Sequence, residues 1–116
     1  MRYPFVKQEG QMECGVACIL MLIKYYNGYI STNKLKVMTK TTNCGTTVFN
    51  MVKALREIGF TADGVECDFN LLIKNNNMMP CISHVIINRS YNHFVVLYKI
   101  TSIIIFLLFL IILKRL

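Results

Sequence analysis

The spacing of apolar residues changes about halfway along the chain. Residues 14–26 are apolar at nearly every position, which predicts a buried central helix closed by a glycine cap at Gly28. Residues 47–58 have apolar side chains at helical spacing, so we predict a second long helix that begins after a threonine cap. A shorter helix is predicted between the two, capped by Ser31 or Thr32.

The second half of the chain has the pattern of β-strands. We predict strands over residues 60–67, 81–87 and 93–100, and the short polar turn between the last two predicts an antiparallel hairpin. Helices followed by strands indicate an α+β fold, with N-terminal helices and an antiparallel sheet after them. We therefore expect one domain over residues 1–100, followed by an apolar tail over residues 101–116.

The charge of the chain is strongly positive. The 13 basic and 6 acidic residues give a net charge of +7, which is compatible with nucleic acid or with a membrane surface. The basic residues are scattered, however, and no basic helix face is interleaved with aromatic residues, so no nucleic-acid partner is expected. Lys99, Lys114 and Arg115 flank the apolar tail. A membrane contact through residues 101–113 is the more natural interpretation there.

The chain has five cysteines, an odd number, and no secretory signal precedes them. A reduced, cytosolic chain is the simplest inference. The spacing of Cys81 and His84 resembles half of a zinc site, but no second pair matches it. We therefore expect no metal and no other cofactor.

Cys14 is the candidate nucleophile because it lies at the first turn of the predicted buried helix. Unpaired backbone N–H groups and the positive end of the helix dipole both favour the thiolate there. A thiolate nucleophile also needs a base, usually histidine. His93 is expected to begin a strand just after a turn, where it can reach a cleft, whereas His84 lies between apolar residues and is interpreted as structural. A helical half with a cysteine and a sheet half with a histidine form a papain-like arrangement.

Several segments, in the right order, resemble one family. Residues 8–21, which read QEGQMECGVACILM, resemble the nucleophile motif of the double-glycine leader peptidases that process bacteriocins. Residues 41–47, with the sequence TTNCGTT, resemble the family's loop, and residues 93–98, with the sequence HFVVLY, resemble the strand that begins with its catalytic histidine. The resemblance covers about residues 5–100. Members of this family are usually the N-terminal domains of peptidase-containing ABC transporters.

The resemblance implies roles for particular residues. Cys14 would attack the carbonyl after a Gly-Gly or Gly-Ala pair in a precursor peptide's leader, with His93 as its base. Gln8 would donate its side-chain amide to the oxyanion, because its spacing from Cys14 matches the family; by chemistry alone Gln11 competes for that role. The implied partners are the precursor peptide and the membrane domains of an ABC transporter. The implied location is the cytoplasmic face of the bacterial membrane, or the cytoplasm.

The chain departs from the family after its histidine strand. The family orients the histidine with an aspartate on a later strand, but this sequence has no carboxylate side chain beyond Asp68. It also has no glycine-rich phosphate loop, so ATP binding is expected only of a longer protein. We therefore expect a C-terminally incomplete domain with weak or no activity. A leader-binding module without turnover is the main alternative, and a small membrane-anchored structural protein is a third.

The apolar tail has three interpretations. As a helix, residues 100–113 would rise about 21 Å, which is short of the roughly 30 Å of a bilayer core, although the segment could lie at a membrane interface. The tail could also be a final, very apolar strand. The third interpretation is a remnant of a longer gene, which we favour because the family resemblance ends within a strand.

Overall fold

The main helices lie in the first half of the chain and the strands in the second, so the predicted α+β order is confirmed. The computed structural model describes residues 3–10, 12–66, 70, 74, 79–87, 91–99 and 109–115. The helices are α1 (Cys14–Tyr25), α2 (Thr32–Met38) and α3 (Val48–Ile58). The strands are β1 (Phe60–Val65), β2 (Cys81–Ile87), β3 (Tyr91–Leu97) and β4 (Phe109–Arg115). These strands form an antiparallel sheet in the order β1-β4-β2-β3.

The ends of the helices follow from local chemistry. The hydroxyl of Ser31 accepts a hydrogen bond from a backbone N–H in the first turn of α2, and Thr47 caps α3 in the same way. We predicted that Gly28 caps the C-terminus of α1, and this choice of residue is wrong. Asn27, and not Gly28, takes the left-handed conformation, with φ of 62°, and the N–H groups of both residues donate back to carbonyls of the last turn. Asparagine is the residue that most often replaces glycine in this motif.

Strands β2 and β3 form the predicted antiparallel hairpin, in which Ser83 pairs with Val95. Strand β2 has the predicted bounds. Strand β3 begins two residues earlier than predicted, because Ile87 and Tyr91 still pair across the hairpin. His93 is therefore inside its strand and does not begin it. Ile100, the predicted end of this strand, lies outside the described residues.

The apolar tail contributes a strand to the sheet. Strand β4 pairs with β1 on one side and with β2 on the other. For residues 109–115 this corresponds to the interpretation of the tail as a final strand, while residues 101–108 lie outside the described part of the chain. Within the described residues, no helix has the length and apolar character needed to cross a bilayer. The domain boundary near residue 100 stays a prediction.

The core forms where α1, α3 and the sheet meet. Its fully buried large side chains include Ile19, Leu22, Leu35, Met51, Leu55 and Ile82. Close packing next to the candidate nucleophile depends on Gly15. A Cβ atom at this position would lie 2.8 Å from Cγ2 of Thr46 and 3.1 Å from Sδ of Met51. Glycine is therefore needed here for the packing of α1 against its neighbours.

We predict that Gly15→Ala lowers the free energy of unfolding. The steric overlap with Thr46 is expected to cost about 1–3 kcal/mol, which exceeds the ~1 kcal/mol that alanine gains from helix propensity. Urea denaturation of the full chain measures the change. Thr46→Ser removes only the Cγ2 atom and keeps the hydroxyl that donates to the carbonyl of Thr39, so it should rescue most of the loss. An equal loss in both backgrounds would contradict this account.

Candidate active site

Cys14 is the first residue of α1, which confirms its predicted position at the start of the buried helix. The backbone N–H groups of this turn have no partner within the helix. They and the positive end of the helix dipole lie at the same turn as Cys14. The residue is only 8% exposed, so its sulfur is shielded from bulk water. This environment suits a cysteine nucleophile, and that role stays a proposal.

The other described cysteines have different environments. Cys18 is buried one turn further along α1, and burial, followed by the charge of Cys14, raises the pKa of its thiol. Cys44 is exposed in the loop before α3, as predicted, and Cys81 is buried in β2. Cys67 lies outside the described residues. Of the three cysteines that are buried in the described part of the chain, Cys14 is the one at a helix start.

Gln8 lies in the segment that leads into α1. Its Nε2 atom donates a hydrogen bond to the carbonyl of Gly10 at 2.8 Å, and the backbone N–H of Glu13 donates to the same carbonyl at 3.2 Å. The segment therefore folds into a tight turn that ends at Cys14. Gln11, the competing candidate, lies outside the described residues.

Tyr98 anchors this leading segment to the sheet, a role that the sequence analysis missed. Its hydroxyl donates to the carbonyl of Pro4 at 2.6 Å, and its ring lies 5.3 Å from that of Tyr3. Burial, with smaller effects from Cys18 and Tyr25, raises the pKa of Tyr98 to about 12, so the hydroxyl stays protonated and remains a donor. A buried tyrosine usually has a hydrogen-bond partner for its hydroxyl. The position of Tyr98 at the end of an apolar strand could therefore have indicated such a contact from the sequence.

Strand β3, which includes His93, packs against α1. The far ends of the two elements meet where the rings of Tyr25 and Tyr98 lie 5.6 Å apart. From Tyr25 back to Cys14 the helix rises about 17 Å, and from Tyr98 back to His93 the strand also spans about 17 Å. Because the two elements pack together and these two distances match, we expect the part of β3 that includes His93 to lie near the Cys14 end of α1.

His84 is the competing base, and its surroundings are well defined. Its ring stacks on that of Phe94, with centroids 4.6 Å apart, and burial lowers its pKa. Phe94 is part of the buried core that also includes Cys14. Side chains alternate along a strand, so His93 and Phe94 point to opposite faces of the sheet, whereas His84 shares the face of Phe94. The structural role predicted for His84 therefore needs a direct test against His93.

The structure weighs against the zinc alternative. Cys81 and His84 are three residues apart on one strand, which places their side chains on opposite faces of the sheet. Among the residues that the structure describes, no group of three His, Cys, Asp or Glu side chains could hold a metal ion.

Strand β4 follows both histidines in the sequence. It has no Asp or Glu, so it does not supply the aspartate that the family has on a later strand.

These features define a class of protein. A cysteine at the start of a buried helix, with an antiparallel sheet that includes a histidine packed along it, is the papain-like cysteine peptidase fold. The chain belongs to the peptidase C39 family, whose model matches residues 2–108. The resemblance inferred from the motifs is thereby confirmed.

Comparisons with individual proteins agree with this assignment. The chain is 32% identical over 95 residues to LagD of Lactococcus lactis subsp. lactis, a lactococcin-G-processing and transport ATP-binding protein. The alignment covers 82% of this chain but only 14% of LagD. The peptidase domain of Streptococcus ComA, a bi-functional ABC transporter involved in quorum sensing, has a similar structure. Its TM-score is 0.86 at 25% identity, with 98% of this chain and 99% of that chain covered.

A second solved structure is a double-glycine motif protease from an AMS/PCAT transporter in complex with the leader peptide. It matches 97% of this chain and 91% of its own, with a TM-score of 0.84 and 25% identity. The predicted papain-like fold is thus confirmed by two related peptidase domains.

Proposed function

We propose that this chain cleaves the peptide bond after a double-glycine leader, with Cys14 as nucleophile and His93 as base. The observation that supports this most directly is the position of Cys14, shielded from solvent at the first turn of α1. Membership of the peptidase C39 family supports the reaction type. The related protease that binds a leader peptide supports the class of substrate.

The proposed reaction has two steps. In the first, His93 takes the thiol proton, and the sulfur of Cys14 attacks the carbonyl carbon of the second glycine. The carbon–nitrogen bond then breaks, and the leaving amine receives the proton from His93. In the second step, a water molecule gives a proton to His93 and attacks the thioester, which releases the leader as a carboxylate and regenerates Cys14.

Glycine at both leader positions suits a narrow cleft, because no side chain has to fit between the substrate backbone and α1. A synthetic peptide with a Gly-Gly pair, incubated with the full chain, tests the proposal by mass spectrometry. Cleavage is expected directly after the pair, and a matched peptide with Val-Val in its place should stay intact. Cleavage of both peptides, or at another bond, would contradict the proposed specificity.

We predict that Gln8→Ala lowers kcat for this cleavage by about 10²–10³-fold and leaves KM nearly unchanged. The side-chain amide of Gln8 and the backbone N–H of Cys14 are proposed to stabilise the oxyanion, which forms only after the sulfur attacks. Steady-state kinetics measure both constants. Lys7→Ala, at the exposed neighbouring position, is the matched control and should have little effect. A change in KM alone would argue that Gln8 only binds substrate.

A leader-binding module without turnover is the second candidate. The sequence has no Asp or Glu after Asp68, whereas a triad uses a carboxylate to orient its imidazole, and this difference favours the binding module. Fluorescence anisotropy of a labelled leader peptide separates the two functions. Binding without any Cys14-dependent product supports the module, whereas product formation supports the peptidase.

We also propose that the chain acts with an ABC transporter, on the cytoplasmic face of a bacterial membrane. The name of LagD, which joins processing to transport, supports this partnership. The membrane contact was predicted for the apolar residues 101–113, but residues 109–113 pair with β1 and β2 as part of β4, so the proposed contact is confined to residues 101–108. Co-sedimentation of the full chain with anionic vesicles tests that contact, and equal recovery of the chain with and without vesicles would contradict it.

A further inference from the structure

Three aromatic rings meet at the end of α1 that lies farthest from Cys14. The ring of Tyr98 has its centroid 5.3 Å from that of Tyr3 and 5.6 Å from that of Tyr25. Tyr25 is the last residue of α1, Tyr98 directly follows β3, and Tyr3 lies in the segment that leads into α1. These three residues form a tyrosine cluster, to which each of the three parts of the chain contributes one ring.

The same three parts of the chain carry the three residues of the proposed site. Cys14 starts α1, His93 is in β3, and Gln8 lies in the leading segment. The distance from the site residue to the tyrosine of the cluster is about 17 Å along α1 and about 17 Å along β3. Along the leading segment it spans five positions, which is at most about 18 Å of extended chain. The cluster therefore joins three parts of matching length at the end opposite to the site.

The leading segment runs from the tyrosine cluster back along α1 to Cys14. A cavity of about 30 Å³ lies between the two, and it is lined by Val6 and Gln8 of the segment and by Ala17 and Leu20 of the helix, among others. Such a cavity has room for about one water molecule. The segment is thus packed closely against α1 over the stretch that contains Gln8.

The hydroxyl of Tyr98 supplies the hydrogen bond that holds this segment at its far end. It donates to the carbonyl of Pro4 at 2.6 Å, and Pro4 is a buried residue. A polar group that is left buried without its partner is costly. A segment released from such a contact regains backbone freedom, so Gln8 would then be held less firmly against α1.

We propose that Tyr98 is a positioning residue that holds the leading segment along α1 and so places Gln8 beside the start of that helix. The inference rests on the proposed function, in which the amide of Gln8 stabilises the oxyanion. Tyr98 acts through the segment and touches no reacting atom. The residue directly after the histidine strand thus connects the proposed oxyanion donor to the sheet.

The first test is hydrogen exchange of the full chain, followed by mass spectrometry. Tyr98→Phe keeps the ring contacts with Tyr3 and Tyr25 and removes only the hydrogen bond to Pro4. Exchange in residues 3–10 should become about fivefold faster, since one hydrogen bond changes a local opening equilibrium by roughly that factor. Exchange in α1 and β3 should stay the same.

The second test is the kinetics of cleavage of the Gly-Gly peptide. Tyr98→Phe should lower kcat about tenfold and leave KM nearly unchanged, because a displaced amide weakens only the stabilisation of the oxyanion. In the Gln8→Ala background the same change should lower kcat by less than about twofold, because no amide is left to displace. Tyr3→Leu removes the ring contact at a residue that is 42% exposed, and it should act in the same direction. Tyr29→Phe is the matched control, since it removes the hydroxyl of a residue that is 88% exposed, and it should change neither constant.

Unchanged exchange in residues 3–10 of Tyr98→Phe would overturn this inference and leave the proposed function standing. Equal losses of kcat from Tyr98→Phe in the wild-type and Gln8→Ala backgrounds would also overturn it, because a general loss of stability has that effect. Cleavage that Gln8→Ala leaves unchanged would contradict the proposed role of Gln8 and this inference with it. A wild type that does not cleave the peptide would contradict the proposed function, and the exchange result would then decide by itself whether Tyr98 holds the segment.

Discussion

Replacing Cys14 with alanine is expected to abolish the nucleophilic cleavage of a double-glycine leader peptide: loss of the nucleophile costs about 10⁶-fold in an intact serine-protease triad, and about 10²-fold where the orienting carboxylate is already missing, because such losses are not additive. The other two residues of the proposed site, His93 and Gln8, do not replace the cysteine as the group that forms the acyl intermediate. The measurement is the initial rate of product formation by mass spectrometry. Cys44→Ala, which removes an exposed thiol outside the helix start, is the control and should retain full activity. Hydrolysis untouched by Cys14→Ala would remove the peptidase proposal altogether.

The same assay assigns the base. His93→Ala is expected to reduce cleavage nearly as far as Cys14→Ala does, because residues that act as one unit are strongly non-additive. His84→Ala should act mainly on stability, since the ring of His84 stacks on buried Phe94. A larger catalytic loss in His84→Ala than in His93→Ala, with both variants folded, would reverse the assignment.

Thiol labelling gives an independent check on this site. We expect Cys14 to react faster than Cys44, although Cys44 is exposed and Cys14 is buried, because thiolate character and not exposure alone controls the reaction. Cys18 should react slowly, since burial raises the pKa of its thiol. Equal rates at Cys14 and Cys44 would argue against an activated nucleophile.

Local chemistry made the helices predictable from sequence. The apolar period over residues 48–58 gives α3, and the hydroxyl cap at Thr47 and the left-handed Gly59 give its two ends. The buried helix that begins at Cys14 followed from its unbroken apolar run. These features depend on residues within one or two turns of each other, which a single sequence displays.

Long-range contacts were not predictable in the same way. Tyr98 and Pro4 are joined by a hydrogen bond across 94 positions, and no local pattern indicates that pairing. The tail was ambiguous because an apolar run without alternation fits a buried helix or a fully paired strand equally well. Strand β4 pairs on both sides, with β1 and β2, and this pairing to two distant segments is what the sequence alone did not show.

The same reasoning limits what the sequence says about the site. The position of Cys14 follows from the start of α1. The distance from Cys14 to either histidine depends on how β2 and β3 pack against α1, and the spacing of residues along the chain does not show this packing. The alternation of β2 and β3 even puts His84 on the face of Phe94 and His93 on the other. The family motif, and not local geometry, is therefore the stronger argument for His93.

Cleavage by this chain is expected to be slow even with Cys14 and His93 intact, by as much as about 10⁴-fold relative to a family member with the orienting aspartate. That figure is the cost of replacing the aspartate by asparagine in a serine-protease triad. The expectation rests on the sequence, which has no Asp or Glu after Asp68; in a triad a carboxylate holds the imidazole in the tautomer that accepts the proton. A cysteine enzyme can lose less, because a thiolate formed at a helix start needs less help from its base.

The matched comparison is the peptidase domain of Streptococcus ComA, which shares the fold at a TM-score of 0.86, assayed on one peptide at one pH. If the loss lies in histidine orientation, kcat should differ greatly between the two proteins while leader affinity stays similar. Single-turnover kinetics should then place the deficit in acylation, where His93 must first take the thiol proton. Rapid turnover by this chain, abolished by both Cys14→Ala and His93→Ala, would instead show that a group other than a later carboxylate orients the imidazole.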